Sequence, residues 1–352
     1  MIVALRALAD CNDILVVGPS WVGDMVMSQS LYTWLRETRP GCNIDVLAPA
    51  WSEPIIERMP EVRAAINMPV GHGKLDLAAR RQLGRELRGR YDQAILLPNS
   101  LKSALVPWLA GIPRRTGWRG EMRYGLLNDM RRLDEEALPL MVQRFVALGQ
   151  EAGAPIPSTL PPPSLRVDTQ AAQTSAAAFA PDDTAPLLAL CPGAEFGGAK
   201  RWPESHYAEV ASHYLQRGWQ VALFGSNNDA AVTSAIREQA GHHERCLDLA
   251  GKTRLAEAVD LLSLADAVVS NDSGLMHIAA ALGRPLVVVY GATSPAFTPP
   301  LSNNSDLLVS DIDCAPCFER ECPLQHHRCM REQTAGNVIS RLDGLLSQEQ
   351  SA

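Results

Sequence analysis

The chain contains no run near the ~18 apolar residues a membrane-spanning helix requires, so no transmembrane segment is read. It also lacks an excess of positive charge. Lys and Arg total 32 against 39 Asp and Glu, a net charge of −7, so the molecule as a whole is not built for nucleic acid. Its start, MIVALRALADCND, is interrupted by Arg6 and Asp10 and has neither an adequate apolar core nor a small-residue cleavage site. No signal peptide is read, and a cytoplasmic location is expected. The last absence is local. GPSWVGDM (18–25) has the Gly-x-x-x-x-Gly spacing of a phosphate-binding loop, but Asp24 and Met25 stand where that loop needs Lys and Ser or Thr. That substitution excludes a P-loop NTPase.

What is present is ordinary for a globular protein: 46% apolar and 20% charged residues in 352, enough for two domains. The first half alternates apolar runs with amphipathic stretches. Strands are expected at 13–18, 43–49 and 93–98, and helices at 24–38, 51–58, 74–89 and 101–109. APIPSTLPPPS (154–164) holds five prolines and reads as a linker. After it the alternation restarts. Strands are expected at 186–193, 219–225, 266–272 and 285–291, and helices at 203–217, 229–240, 255–265 and 273–283, with a polar-faced helix from 335. Such βαβ alternation implies parallel sheets covered on both faces. The expected domains are 1–160, 161–335 and a tail at 336–352.

The informative loops all follow strands, where open α/β sheets bind ligands. In SNDSGLMH (270–277), Asp272, Ser273 and Gly274 open a helix. They serve either as a simple N-cap or as an anion site where a diphosphate meets free N–H groups and the positive helix end. His277 lies one turn in, as a packing residue or a ligand contact. CPGAEFGGAKRWP (191–203) carries three glycines and the pair Lys200 and Arg201. That pair is either a solvated loop or a charge that neutralises a phosphate leaving group. In FGSNND (224–229), Asp229 accepts from a ribose or caps the next helix.

Residues 99–132 hold seven basic side chains against two acidic ones, in a chain that is acidic overall. A solvated face accounts for many charge runs. Here TGWRGEMRY (116–124) interleaves arginines with aromatics and glycines, which suits a phosphorylated, partly carbohydrate ligand. Cys314, Cys317, Cys322 and Cys329 are spaced like a zinc knuckle. A structural four-thiolate zinc is expected there, with reduced thiols packed as small apolar groups as the alternative.

Together GPSWVGDMVMSQSL, PNSLKSALVPWLAGIPRRTGWRGEMRYGLLND, CPGAEFGGAKRWP, NDSGLMHIAAALGRP and GATSPAFTPP resemble the ADP-heptose:lipopolysaccharide heptosyltransferases of glycosyltransferase family 9. The resemblance spans nearly the whole chain. It implies a GT-B fold, two Rossmann-like α/β domains with the active site between them. The C-terminal half would hold ADP-heptose and the N-terminal half a phosphorylated lipopolysaccharide inner-core acceptor. It further implies inversion at the anomeric carbon, placing a second heptose on the first by an α1,3 link, without a catalytic cofactor or metal. Peripheral contact at the inner face of the inner membrane is expected because the acceptor is a lipid.

Residue by residue, the resemblance makes Asp24 the general base and Lys200 the partner of the departing diphosphate. Gly193, Asp229, Asp272, Ser273, Gly274 and His277 become donor contacts. Lys102, Arg115, Arg119 and Arg123 become acceptor contacts. Some relatives lack the Cys cluster, so catalysis is not expected to depend on it. A nucleotide-sugar epimerase, which needs no acceptor, should lack the 102–132 basic segment. A non-catalytic nucleotide-binding module would keep 271–277 and have no need of Asp24.

Overall fold

The computed structural model describes residue 8 and residues 11–71, 73–179 and 184–349. The MIVALRALAD start, on which the signal-peptide reading rests, lies outside them apart from Leu8. The chain divides into two units, Met1–Pro163 and Ser164–Ala352. The division falls inside the Pro-rich joint.

The first unit runs β1 (Asp13–Val17), α1 (Val22–Thr38), β2 (Asn43–Ala48), α2 (Glu53–Ile56), β3 (Ala64–Asn67) and α3 (Leu77–Glu86). It continues with β4 (Gln93–Leu96), α4 (Leu105–Leu109), β5 (Arg114–Trp118), β6 (Asp129–Arg131) and α5 (Met141–Gly149). Its six strands are all parallel, in the order β3-β2-β1-β4-β5-β6. The second unit runs α6 (Thr169–Phe179), β7 (Leu187–Cys191), α7 (Glu204–Gln216), β8 (Gln220–Leu223), α8 (Ala230–Gln239), β9 (Cys246–Asp248) and α9 (Leu255–Ser263). It ends with β10 (Ala267–Asn271), α10 (Gly274–Ala281), β11 (Leu286–Tyr290), β12 (Ser305–Val309), α11 (Arg328–Arg331) and α12 (Ala335–Glu349). Its parallel sheet, β12-β11-β10-β7-β8-β9, repeats the same doubly wound order.

Central strands of such sheets are buried on both faces and read as continuous apolar runs. In β10 and β11 every residue is buried, and in β1 all but Asp13. The strands not expected from sequence, β3, β5, β6, β9 and β12, are edge strands, short strands or strands carrying charge. In β5 and β6 the charge is internally matched. Asp129 Oδ2 accepts from Arg114 Nη2 and Arg131 Nη2 at 2.9 Å each and from Thr116 Oγ1 at 2.9 Å. Burial raises the Asp129 carboxyl, but the two guanidinium partners outweigh it and hold it below its usual range. Two arginines of the basic segment therefore close a sheet edge rather than meet a ligand. The C-terminal helix α12 packs on the second unit: Val338 and Leu342 are fully buried, and Asp343 accepts from Tyr214 at 2.9 Å.

Candidate active site

In the second unit, β7 and β10 are neighbours, with Cys191 opposite Ser270. The strand order reverses between them, and ligands of doubly wound sheets bind at that switch point. Asn271, fully buried at the end of β10, ties the two outgoing loops together. Its Oδ1 accepts from Trp202 N at 3.2 Å and Tyr207 OH at 2.9 Å, while Nδ2 donates to Pro192 O at 2.7 Å. Lys200 stands on the loop so held. Its ammonium lies 2.7 Å from Asp272 Oδ2 and 4.9 Å from the centre of the Phe196 ring. The same Asp272 oxygen accepts from Thr293 Oγ1 at 2.7 Å. Loops after β7, β10 and β11 thus converge on one buried carboxylate.

Ser273 caps α10, its hydroxyl accepting from Met276 N at 3.3 Å, and Gly274 is the helix's first residue. The N-cap reading of 272–274 is realised, and the positive helix end sits beside the Lys200 ammonium. His277 is buried, and burial, opposed by Asp272 and reinforced by Lys200, pushes its imidazole down to about 4. It is neutral at pH 7.

This depression has a measurable consequence. A His whose folded pKa lies below its unfolded value stabilises the fold fully above the unfolded pKa, near 6.5, and loses that contribution as pH falls towards 4. A depression from 6.5 to about 4 corresponds to about 3 kcal/mol. Between pH 7 and pH 4.5, urea unfolding of the wild type should lose about 2–3 kcal/mol more than that of His277→Asn. Equal losses would mean that His277 titrates as an ordinary imidazole.

Asp229 is committed locally. Its Oδ2 accepts from Ser226 N at 2.9 Å and Ser226 Oγ at 2.8 Å, and Arg201 Nη2 lies 3.8 Å from Oδ1. The carboxylate closes the 226–229 turn onto Ser226 and makes no side-chain cap on α8. Gly193 lies against it: a Cβ there would come within 2.7 Å of Asp229 Oδ2, so a larger residue would push the carboxylate from its place.

In the first unit, Asp24 occupies the first turn of α1, half-buried, directly after the 18–21 loop that leaves β1. That loop is at the other switch point, where β1 neighbours β4. Its own N-cap, Trp21, makes no side-chain cap, so a carboxylate in this turn complements the helix dipole.

The predicted acceptor residues differ in fate. Arg119 is exposed. Lys102 is half-buried and donates to Gly73 O at 2.9 Å. Arg115 is spent on Leu126 O at 2.6 Å and Ile112 O at 2.5 Å, and burial lowers it below the usual guanidinium range. Arg123 is fully buried, donating to Pro98 O at 2.8 Å, to Asn99 and to Trp118 O. In this structure Arg115 and Arg123 are engaged by loop carbonyls. Backbone carbonyls buried in this loop region need donors, and these two guanidinium groups supply them.

Among the described residues no three His, Cys, Asp or Glu side chains are grouped to hold a metal ion. The four cysteines are free thiols, half-buried at Cys314, Cys317 and Cys322 and buried at Cys329. Burial, then the three neighbouring thiols, pushes Cys329 up.

Two residues with structural claims on the site were not singled out in the sequence. Asn271 adjoins Asp272 but reads as turn chemistry. Thr293 lies in GATSPAFTPP, where only its place after a buried strand and Gly291 hinted at a site.

Two parallel six-stranded sheets in the same doubly wound order, each with polar residues at its switch point, define a GT-B-like α/β protein. Residues 80–328 match glycosyltransferase family 9 (heptosyltransferase), and the chain belongs to that family. It is 49% identical to the lipopolysaccharide heptosyltransferase 2 of Escherichia coli K12, over 96% of this chain and 99% of that one. To the lipooligosaccharide heptosyltransferase 2 of Haemophilus ducreyi it is 48% identical, over 95% and 99%. The solved structure of E. coli ADP-heptose LPS heptosyltransferase II superposes with a TM-score of 0.86 at 48% identity, over 96% of this chain and 99% of that one.

Proposed function

We propose that the chain transfers L-glycero-D-manno-heptose from ADP-heptose to the first heptose of the lipopolysaccharide inner core, inverting the anomeric carbon. The observation that carries this reading is the Lys200–Asp272–Thr293 cluster at the start of α10, in a chain that matches heptosyltransferases 2 along nearly its full length. Asp24 accepts the proton of the acceptor hydroxyl as that oxygen bonds to the anomeric carbon. The bond from that carbon to the β-phosphate oxygen breaks, and ADP leaves with the electron pair. A Lys at position 24 would already carry a proton and be useless as a base.

ADP is a stabilised anion, so departure needs no second carboxylic acid, unlike glycoside hydrolysis. Lys200 and the N–H groups at the start of α10 face the charge that grows on the diphosphate. This makes a metal ion unnecessary for the step. Ser273, Gly274 and neutral His277 line the phosphate end of the donor site, with Gly193 and Asp229 towards the ribose. Exposed Arg119 and half-buried Lys102 remain available to acceptor phosphates. Because that acceptor is a lipid-linked glycan, the chain meets it by peripheral contact at the cytoplasmic face of the inner membrane. Among the described residues no helix is long and apolar enough to cross a membrane.

Product analysis tests the reading. The inner-core acceptor should gain one heptose in α linkage to its existing heptose. A β linkage, or an unmodified acceptor, would overturn it.

A further inference from the structure

The Cys-bearing segment 314–329 has no part in the reaction as set out above, yet it is fastened to the loop that carries Lys200. Ala199 N donates to Arg320 O at 2.9 Å, and Gly198 N donates to Glu321 Oε1 at 3.2 Å. The Arg320 guanidinium lies 5.4 Å from the centre of the Phe196 ring, the same ring that the Lys200 ammonium approaches to 4.9 Å. Gly197 is where the two segments come closest: a Cβ there would strike the Arg320 carbonyl. Two glycines in succession would leave this loop many conformations, and the three contacts select one.

The segment's other flank is fastened to the loop of Thr293. Phe318 N donates to Ala292 O at 2.7 Å, and the Phe318 ring meets Phe297 edge-on with centres 6.5 Å apart. Lys200 and Thr293 are the two partners of Asp272 Oδ2. Both arrive on loops that this one segment holds.

We infer that Arg320 and Glu321 are positioning residues for heptosyl transfer: through the 196–200 loop they set where the Lys200 ammonium stands relative to the donor diphosphate. Catalysis then depends on the Cys-bearing segment, contrary to the expectation from its uneven occurrence among relatives. The inference rests on Lys200 being the diphosphate's counter-charge.

Both side chains are exposed, so their replacement leaves the fold in place. Arg320→Ala removes the stack on Phe196, and Glu321→Ala removes the acceptor of Gly198 N–H. Each should lower kcat, and the pair together about tenfold, with the acceptor KM unchanged. Glu321→Gln keeps the accepting oxygen and should restore most of the rate.

The deciding readout is a double-mutant cycle. In a Lys200→Ala background the Arg320→Ala, Glu321→Ala pair should change kcat by less than about twofold, because the group they position is gone. Equal losses in both backgrounds would show a merely structural role and overturn the inference. So would no loss in the wild-type background. If Lys200→Ala itself leaves kcat unchanged, the reading of Lys200 falls, and the inference with it.

Discussion

Asp24→Asn will lower the rate of heptosyl transfer by about three orders of magnitude, within the range a positioned general base supplies, while ADP and ADP-heptose still bind. The two side chains have the same shape, and Asn cannot take the proton. The carboxylate's other contribution is its favourable place in the first turn of α1. That is worth about 0.3–1 kcal/mol, so the variant stays folded. The donor contacts proposed above all belong to the second unit, distant in sequence from position 24. Calorimetric titration with ADP should therefore give an affinity within about threefold of wild type, since only an interaction made in the transition state has been lost. Retained turnover would remove Asp24 from the role of base. A lost affinity for ADP would assign it to binding instead.

Lys200→Ala will lower kcat by about 10²–10³, the usual cost of deleting a group aimed at developing negative charge. The ground-state donor already carries the diphosphate charge, so some loss of affinity accompanies the change. The larger part falls on kcat, because negative charge grows as the bond to the anomeric carbon breaks. The structure adds a second source of loss. Without Lys200, the buried Asp272 carboxylate keeps Thr293 as its hydrogen-bond donor but loses its 2.7 Å ammonium partner. It then repels the diphosphate. Asp272→Asn introduced on top of Lys200→Ala should recover part of the donor affinity for that reason. Lys200→Arg keeps the charge but brings a planar fork to a point-charge site, and it should fall between wild type and Ala. A change confined to KM for all these variants would contradict the leaving-group role.

The donor side of this account was legible because its residues follow buried strands. DAVVS before Asn271 and LLALC before the 192–203 loop are short runs dominated by apolar residues, the pattern of central parallel strands. Because the two strands are parallel neighbours, the loops after them meet at the carboxyl end of the sheet. Periodicity does not say which atoms pair there. Asp229 read equally well as ribose contact or helix cap, and its commitment to Ser226 appears only with coordinates.

The basic segment mixes arginines with different partners, which its sequence does not distinguish. Charge on a sequence has no direction, and a guanidinium satisfied by buried carbonyls looks the same as one facing solvent. Arg114 and Arg131 are absorbed by Asp129, which lies fifteen positions from the one and two from the other, and Arg123 by Pro98 and Trp118. The cysteine spacing likewise suggested a knuckle. What that segment does in three dimensions is grip the Lys200 loop through Arg320 and Glu321, two residues that no spacing rule marks.

The central claim is transfer of heptose from ADP-heptose to a mono-heptosylated inner core. The most direct measurement is ADP release from ADP-heptose with and without that acceptor. The account predicts release that depends on the acceptor and is lost in Asp24→Asn. Equal release in both conditions, or release in neither, would contradict it.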